Sequence, residues 1–143
     1  MYVFTHLCTG AFLGAIIPNP VVAGIAGLSS HALLDAVPHH DYQKPAPAMV
    51  DIGVSLAALW ALYKMGAPNS ITQNPVLIGG FMAALPDLEV GISYVFGRNR
   101  KWPLIYPSHS GLTPHHRLPL PQGFLLQVAI AIISILGIYW LLG

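Results

Sequence analysis

Histidine and carboxylate side chains are the groups in this sequence that could carry chemistry. The 143 residues include seven histidines but only five Asp and Glu together. His31 and Asp35 are spaced i, i+4, which places both side chains on one face of a helix. At this spacing an imidazole and a carboxylate suit two ligands of one metal ion, or a hydrogen-bonded pair that holds helices together. The spacing leaves both interpretations open.

Other acids and histidines occur in similar surroundings. The chain turns just before His39 and Asp41, so either side chain can fold back over the same site. Asp87 follows Pro86 in an otherwise apolar run, where we expect the proline to break a helix beside a polar site. Asp51 lies in the first turn of a predicted helix, where a carboxylate either complements the helix dipole or serves a metal site.

A second dense polar patch runs from residue 106 to residue 117. Ser108 and Ser110 flank His109, but no Gly-x-Ser-x-Gly or Ser-x-x-Lys motif supports a serine nucleophile. We therefore expect these hydroxyl groups to orient ligands or substrate. Arg117 suits a phosphate oxygen of a substrate, or it is a positive charge that fixes membrane topology.

The composition places these polar residues in a membrane protein. Hydrophobic residues make up 55% of the chain and charged residues only 8%, against roughly 25% charged residues in soluble domains. The net charge of +1 gives no support for nucleic-acid binding, and the single cysteine cannot form an internal disulfide. We predict one integral-membrane domain, residues 1–143, an all-α polytopic bundle of about five spans. The apolar stretches are 1–17, 21–37, 49–65, 75–96 and 122–142. The first three are marginal, because a spanning helix needs ~20 residues.

The basic residues predict an orientation for this bundle. With five spans, all Lys and Arg except Lys64 fall on the side of the N-terminus. The positive-inside rule then places the N-terminus in the cytoplasm of a multi-pass protein of the cell (inner) membrane. Under this topology every histidine and every acid falls at or toward the cytoplasmic face. The sequence therefore predicts a polar site at that face.

Short motifs resemble the predicted membrane-bound metal-dependent hydrolases of bacteria and archaea. The resemblance rests on Thr5-His6, on Leu85-Pro86-Asp87 and on the run from His109 to His116. That family is itself thought to be distantly similar to zinc-dependent phospholipase C. The run from Ser30 to Asp41 is similar to the His-x3-Asp ligand pattern of the phospholipase group. Two positions depart from the family pattern, since Glu89 replaces a second Asp and Ser110 replaces an Arg.

The resemblance implies a metal-dependent hydrolase of a phosphoester, such as a phospholipid headgroup, in a lipid bilayer. The implied cofactor is a divalent metal, zinc, with two or three ions. The expected metal ligands are His6, His31, Asp35, Asp87 and His109, with His39 and Asp41 as further candidates. Asp51, as a general base, and His115 are the candidate catalytic residues. Arg117 is the candidate substrate-binding residue.

Two other functions compete with hydrolysis. His and Asp within membrane helices also mark metal or proton transport paths. Against this, the polar residues stop halfway across the predicted bundle. Haem ligation by His6 and His31 would leave the acids without a role. The sequence leaves open the substrate, the metal, the oligomeric state, and which member of the pairs His39/His40 and His115/His116 is a ligand.

Overall fold

The computed structural model describes residues 1–65, 74–96, 104–114 and 116–142. These ranges contain no β-strand, although an isolated backbone bridge joins His39 to Arg117. Their helices are α1 (Val3–Ile16), α2 (Pro20–Ala36), α3 (Pro45–Met65), α4 (Pro75–Phe96) and α5 (Gln122–Leu142). The predicted all-α helix bundle is therefore confirmed for the described part of the chain.

Three of these helices are long and apolar enough to cross a membrane. They are the segments Pro45–Lys64, Pro75–Ser93 and Gln122–Leu142. Large apolar side chains such as Trp60 and Trp140 are exposed on the outer faces of α3 and α5, which is typical of surfaces that contact lipid. The helices α1 and α2 have 14 and 17 residues. Length therefore supports membrane crossing for three of the five predicted spans.

The start of α3 differs from the sequence prediction. The predicted apolar stretch begins at residue 49, after prolines at 45 and 47, but α3 begins at Pro45 and includes both prolines. The first N–H groups of a helix have no partner within it, so prolines in the first turn cost no hydrogen bond. The early start gives α3 its 21 residues.

The predicted break at Pro86 is also wrong. The helix α4 runs without interruption through Pro86 to Phe96. Proline removes one backbone hydrogen bond from a helix, but the flanking turns and the packing around a buried proline can keep the helix continuous. Pro86 is buried in the bundle. Asp87 is therefore carried by a continuous helix.

One end of the bundle collects the polar side chains, and we call it the polar end. The helices α1, α3 and α5 begin at this end, because Val3 N donates to Asp51 and Tyr2 N donates to Gln127. The helix α2 finishes there, since Asp35 in its last turn contacts His6 in α1. The polar end is defined by His6, Asp35, Asp51 and Asp87.

Glycines let α4 pack directly against the backbones of α1 and α2. A Cβ atom added at Gly10 or at Gly27 would collide with the carbonyl group of Gly79. Such contacts between small residues allow close helix approach in membrane proteins. His6 precedes Gly10 by one helical turn, and His31 follows Gly27 by one turn. The glycine crossing therefore brings the side chains of three helices together at the polar end.

Candidate metal centre

His31 is fixed in one orientation by a backbone hydrogen bond. Its Nδ1 lies 2.7 Å from the carbonyl oxygen of Ala83 in α4. A carbonyl can only accept, so Nδ1 carries a proton, and in the neutral imidazole Nε2 is left with a lone pair. A histidine that donates its other ring N–H to a carbonyl is the usual arrangement of a metal ligand.

Four donor atoms from α2, α4 and one loop converge beside His31. Its Nε2 lies 3.3 Å from His109 Nε2 and 3.2 Å from Asp35 Oδ2. Asp87 Oδ1 lies 3.9 Å from His31 Nε2 and 3.8 Å from His109 Nε2. Bond lengths of ~2.0–2.1 Å to a tetrahedral zinc ion would separate neighbouring ligand atoms by ~3.3–3.5 Å. His31, Asp35 and His109 form one group of three donors, whose separations of 3.2–3.7 Å fit such a site. Asp87 would have to move closer to Asp35 to complete it.

His6 extends the cluster on the side of α1. Its side chain is fully buried, and its ring stacks on that of His31 with the centroids 3.7 Å apart. His6 Nε2 lies 3.1 Å from Asp35 Oδ1, and the amino nitrogen of Met1 lies 2.8 Å from the same oxygen. The carboxylate of Asp35 thus faces His6 with one oxygen and His31 with the other. His6, His31 and Asp87 make a second group of three donors that shares His31 with the first.

The loop that carries His109 is held against α4 by Glu89. Its carboxylate accepts hydrogen bonds from the backbone N–H groups of Ile105 and Tyr106, and it lies 3.4 Å from His109 Nδ1. The Tyr106 hydroxyl donates to the carbonyl of Leu28 in α2. Burial, together with the nearby His31, lowers the pKa of His109, so its imidazole stays neutral and able to ligate at neutral pH.

Two buried polar atoms at the site have no hydrogen-bond partner among the residues that the structure describes. They are His6 Nδ1 and Asp87 Oδ2. A buried polar atom without a partner costs about 1–3 kcal/mol, so natural structures retain few of them. The donors are nitrogen and oxygen atoms, which suit Zn²⁺, Mn²⁺ or Fe²⁺, and the two carboxylates balance a divalent charge. On both grounds the residues fit a divalent metal.

Asp51 lies at the polar end, but its carboxylate faces the start of α1. It accepts hydrogen bonds from Val3 N at 2.7 Å and from Phe4 N at 3.2 Å, and it contacts the Tyr42 hydroxyl. These bonds satisfy N–H groups that the first turn of α1 cannot pair itself. Asp51, which lies in α3, therefore caps the N-terminus of α1. This contact is separate from any role in proton transfer.

The other predicted site residues form a neighbouring group. Asp41 lies 2.9 Å from His39 Nε2 and accepts a 2.9 Å hydrogen bond from Arg117 Nε. The amino nitrogen of Met1 lies between Asp41 and Asp35, 3.5 Å from Asp41 Oδ1. His39, Asp41 and Arg117 thus border the donor cluster without entering either group of three donors. His115 lies outside the described residues.

Glu89 and Ala83 are the parts of the site that motif reasoning did not assign. The sequence analysis noted Glu89 only as a departure from the family pattern. A backbone carbonyl such as that of Ala83 cannot be recognised from residue types, because every residue has one. The position of Glu89, two residues after Asp87, is the one available signal. Comparisons of the chain with protein-family models, with curated proteins and with solved structures found no match.

Proposed function

We propose that this chain is a membrane-embedded, metal-dependent hydrolase of phosphoesters, with its site at the cytoplasmic face. The observation that carries the proposal is that two carboxylate oxygens, of Asp35 and Asp87, each lie 3.2–3.9 Å from both imidazole nitrogens of the His31–His109 pair, in an apolar bundle. Charged and titratable groups are costly in such surroundings and are usually functional.

A metal explains this cluster better than a structural hydrogen-bond network does. His31 Nε2 holds a lone pair and faces His109 Nε2 at 3.3 Å. For the two nitrogens to hydrogen bond, a neutral His109 must carry its proton on Nε2, which leaves its Nδ1 lone pair facing the Glu89 carboxylate at 3.4 Å. A cation between the nitrogens removes this conflict, because His109 can then donate Nδ1–H to Glu89.

The donors assign the ligands of this metal. His31, Asp35 and His109 would hold one ion, with Asp87 as a fourth ligand whose Oδ1 lies 3.9 Å from His31 Nε2 and 3.8 Å from His109 Nε2. We propose zinc, which a four-ligand set of nitrogen and oxygen donors suits. His6 and the second oxygen of Asp35 offer ligands toward a second ion. A divalent cation bound here polarises a phosphoryl oxygen and acidifies a water molecule.

The chain itself supplies orientation and proton transfer. Asp87 directs Oδ1 at the donor cluster and leaves Oδ2 without a hydrogen bond, so Oδ2 can accept a proton from water. Both oxygens of Asp51 accept backbone N–H groups of α1. We therefore place the first proton transfer at Asp87 Oδ2, with Asp51 supporting the position of α1 and His6.

The location of the site supports an amphiphilic substrate and a cytoplasmic orientation. Lys44 and Arg117 lie at the polar end, whereas Lys64 lies in the last turn of α3 at the other end. By the positive-inside rule the polar end faces the cytoplasm of a multi-pass inner-membrane protein. An amphiphilic phosphoester whose apolar part lies in the bilayer would hold its polar group at the same depth in the membrane as this site.

Transport of metal ions or protons is the competing function, and the arrangement of donors argues against it. Every histidine and acid whose side chain the structure describes lies at the polar end or in the segments that join its helices. In the described ranges the opposite half of the bundle contains hydroxyl groups such as the Thr9–Ser134 pair, but no row of histidine or acidic side chains. A transport path would need such groups along its length.

Metal analysis combined with a substrate panel tests the proposal. The protein is purified in a neutral detergent, its metals are measured by mass spectrometry, and hydrolysis of phosphomonoesters and phosphodiesters, including short-chain phospholipids, is assayed. We expect at least one zinc-like ion per chain, and turnover that chelation abolishes and zinc restores. Stoichiometric metal without hydrolysis of any phosphoester would favour transport, and absence of metal after zinc loading would overturn the centre itself.

A further inference from the structure

A groove opens beside the metal-binding cluster, at the mouth between α3 and α5. Its volume is about 560 Å³. Three chain segments line it, namely Tyr2 before α1, residues 40–44 before α3 and residues 117–120 before α5. We call it the mouth groove. No step of the proposed hydrolysis involves this groove, and Arg117 is the residue in it that was already named as suited to a phosphate.

The walls of the mouth groove are aromatic and apolar. Tyr2 and Tyr42 line it and stack in parallel with their ring centroids 4.4 Å apart. Behind this wall, the ring of Phe124 in α5 lies 6.2 Å from that of Tyr2. Leu118 and Leu120 complete the wall next to α5. Aromatic residues of this kind sit at the level of lipid headgroups, where one side is apolar and the other is wet.

The charges in the mouth groove favour an anion. Lys44 and Arg117 outnumber the single acid, Asp41. Arg117 Nε donates to Asp41 at 2.9 Å, which fixes the guanidinium while the residue remains 75% exposed. The terminal amino groups of an arginine held in this way stay available for phosphate oxygens. Lys44 is exposed and has no ion pair in the described part of the chain.

The groove is also open sideways, toward the space that lipid would fill. The helices α3 and α5 each pack on α1 but make little contact with one another. Exposed apolar side chains flank this opening, with Met49 and Val50 on α3 and Leu125 on α5. An apolar chain can therefore continue from the groove along the outside of the bundle without leaving an apolar surface.

We propose that the mouth groove binds an anionic phospholipid, with its phosphate between Lys44 and Arg117 and its acyl chains between α3 and α5. As a substrate site this rests on the proposed function, whereas lipid binding does not. The amino group of Met1 contacts both sites, since its nitrogen lies 2.8 Å from Asp35 Oδ1 and 3.5 Å from Asp41 Oδ1. A phosphoester held in the groove therefore lies beside the donor cluster.

Binding is measured on chelator-treated protein in maltoside detergent, so that hydrolysis cannot interfere. The probes are dihexanoyl phosphatidylglycerol, dihexanoyl phosphatidylcholine and glycerol 1-phosphate, each titrated by calorimetry. Each cation near a membrane surface contributes about 1 kcal/mol to binding an anionic lipid. The two cations, Lys44 and Arg117, together amount to about 2 kcal/mol, so we expect the anionic lipid to bind about 30-fold more tightly than the zwitterionic lipid. It should also bind far more tightly than glycerol 1-phosphate.

The double variant Lys44→Gln, Arg117→Gln should lose this preference, whereas Lys64→Gln, at the other end of α3, should keep it. Equal binding of both lipids, or an unchanged preference in the double variant, would overturn the proposal. Glycerol 1-phosphate binding as tightly as the anionic lipid would overturn the lipid assignment in favour of a soluble phosphate ligand. The variant His31→Ala should retain lipid binding, so failure of hydrolysis and failure of this groove give different results.

Discussion

The Nε2 atoms of His31 and His109 lie 3.3 Å apart, although 78 residues separate the two histidines in the chain. Two different constraints produce this approach. His31 is tied to α4 through the Ala83 carbonyl, and the His109 loop is tied to α4 through Glu89. The helix α4 is therefore the common support of the donor cluster. Changes to its contacts should alter metal binding even where no donor atom is lost.

Removal of the His31 side chain should reduce bound metal and stability together. The variant His31→Ala removes the donor shared by both groups and leaves the Ala83 carbonyl buried without its partner. We expect metal content to fall to about a tenth or less, and unfolding free energy to fall by about 1–3 kcal/mol. His116→Ala is the matched control, because His116 is exposed. Full metal content in His31→Ala would make the His31–Asp35 pair a structural contact.

Glu89 should support metal binding by positioning His109, and it should not bind the metal itself. The variant Glu89→Gln keeps the size of the side chain but weakens its hold on Ile105 N, Tyr106 N and His109 Nδ1. Loss of such a supporting group costs about 10–100-fold in metal affinity. We expect zinc affinity, measured by competition with a chelating dye, to fall in that range, while one ion still binds at saturation. Wild-type affinity would remove Glu89 from the site.

The glycine crossing should be required for both the fold and the centre. A Cβ atom at Gly79 would meet the Gly10 carbonyl, whereas a Cβ atom at Gly91 in the same helix meets nothing within 4 Å. We expect Gly79→Ala to lower stability by about 1–3 kcal/mol and to reduce bound metal, because α1 and α4 must separate. Gly91→Ala should be neutral or raise stability by up to about 1 kcal/mol. Thermal unfolding in detergent compares the pair, and equal midpoints would contradict the packing argument.

Helix positions were largely predictable from the sequence, because apolar runs and proline signals are local. The bounds of α4 and α5 agree with the predicted stretches 75–96 and 122–142. The prediction failed at Pro45 and Pro86, where the effect of a proline depends on its place in the helix and on its neighbours. The sequence shows where each proline lies, but it does not show whether the packing around that proline keeps the helix continuous.

The donor residues of the candidate centre could be predicted from the sequence, but the residues that hold them in position could not. His6, His31, Asp35, Asp87 and His109 could be named because their residue types are costly inside an apolar bundle. The roles of Glu89 as a loop anchor and of Asp51 as a cap for α1 depend on which backbone N–H groups approach each carboxylate. Those approaches arise only when helices distant in sequence pack together.

Cysteine labelling should report the orientation of the bundle. In a Cys8→Ala background, Gln43→Cys lies at the polar end and Asn69→Cys lies between α3 and α4 in the sequence. The distribution of Lys and Arg predicts that a membrane-impermeant thiol reagent labels position 69 on intact cells, and position 43 only after the membrane is opened. The native Cys8 is buried, so its removal should change little beyond background labelling. The reverse pattern of access would invert the proposed orientation.

Replacing Asp87 by asparagine should separate catalysis from folding. Asparagine has nearly the same shape as aspartate, and α4 continues through this position, so expression and thermal stability should stay close to wild type. The change removes one of the two negative charges that balance a divalent cation, and it removes the proton-accepting oxygen Oδ2, which has no other partner.

For Asp87→Asn we expect turnover of any phosphoester that the native protein cleaves to fall by about 100-fold or more, a loss that a metal ligand or its supporting partner can produce. Metal content measured on the same preparation distinguishes the two roles, because loss of a ligand lowers zinc affinity together with turnover. The control is Lys64→Gln, which changes a charge at the other end of the bundle, outside both donor groups. If Asp87→Asn retains native turnover, Asp87 takes no part in the reaction, and the proton acceptor must be sought among the remaining carboxylates of the polar end.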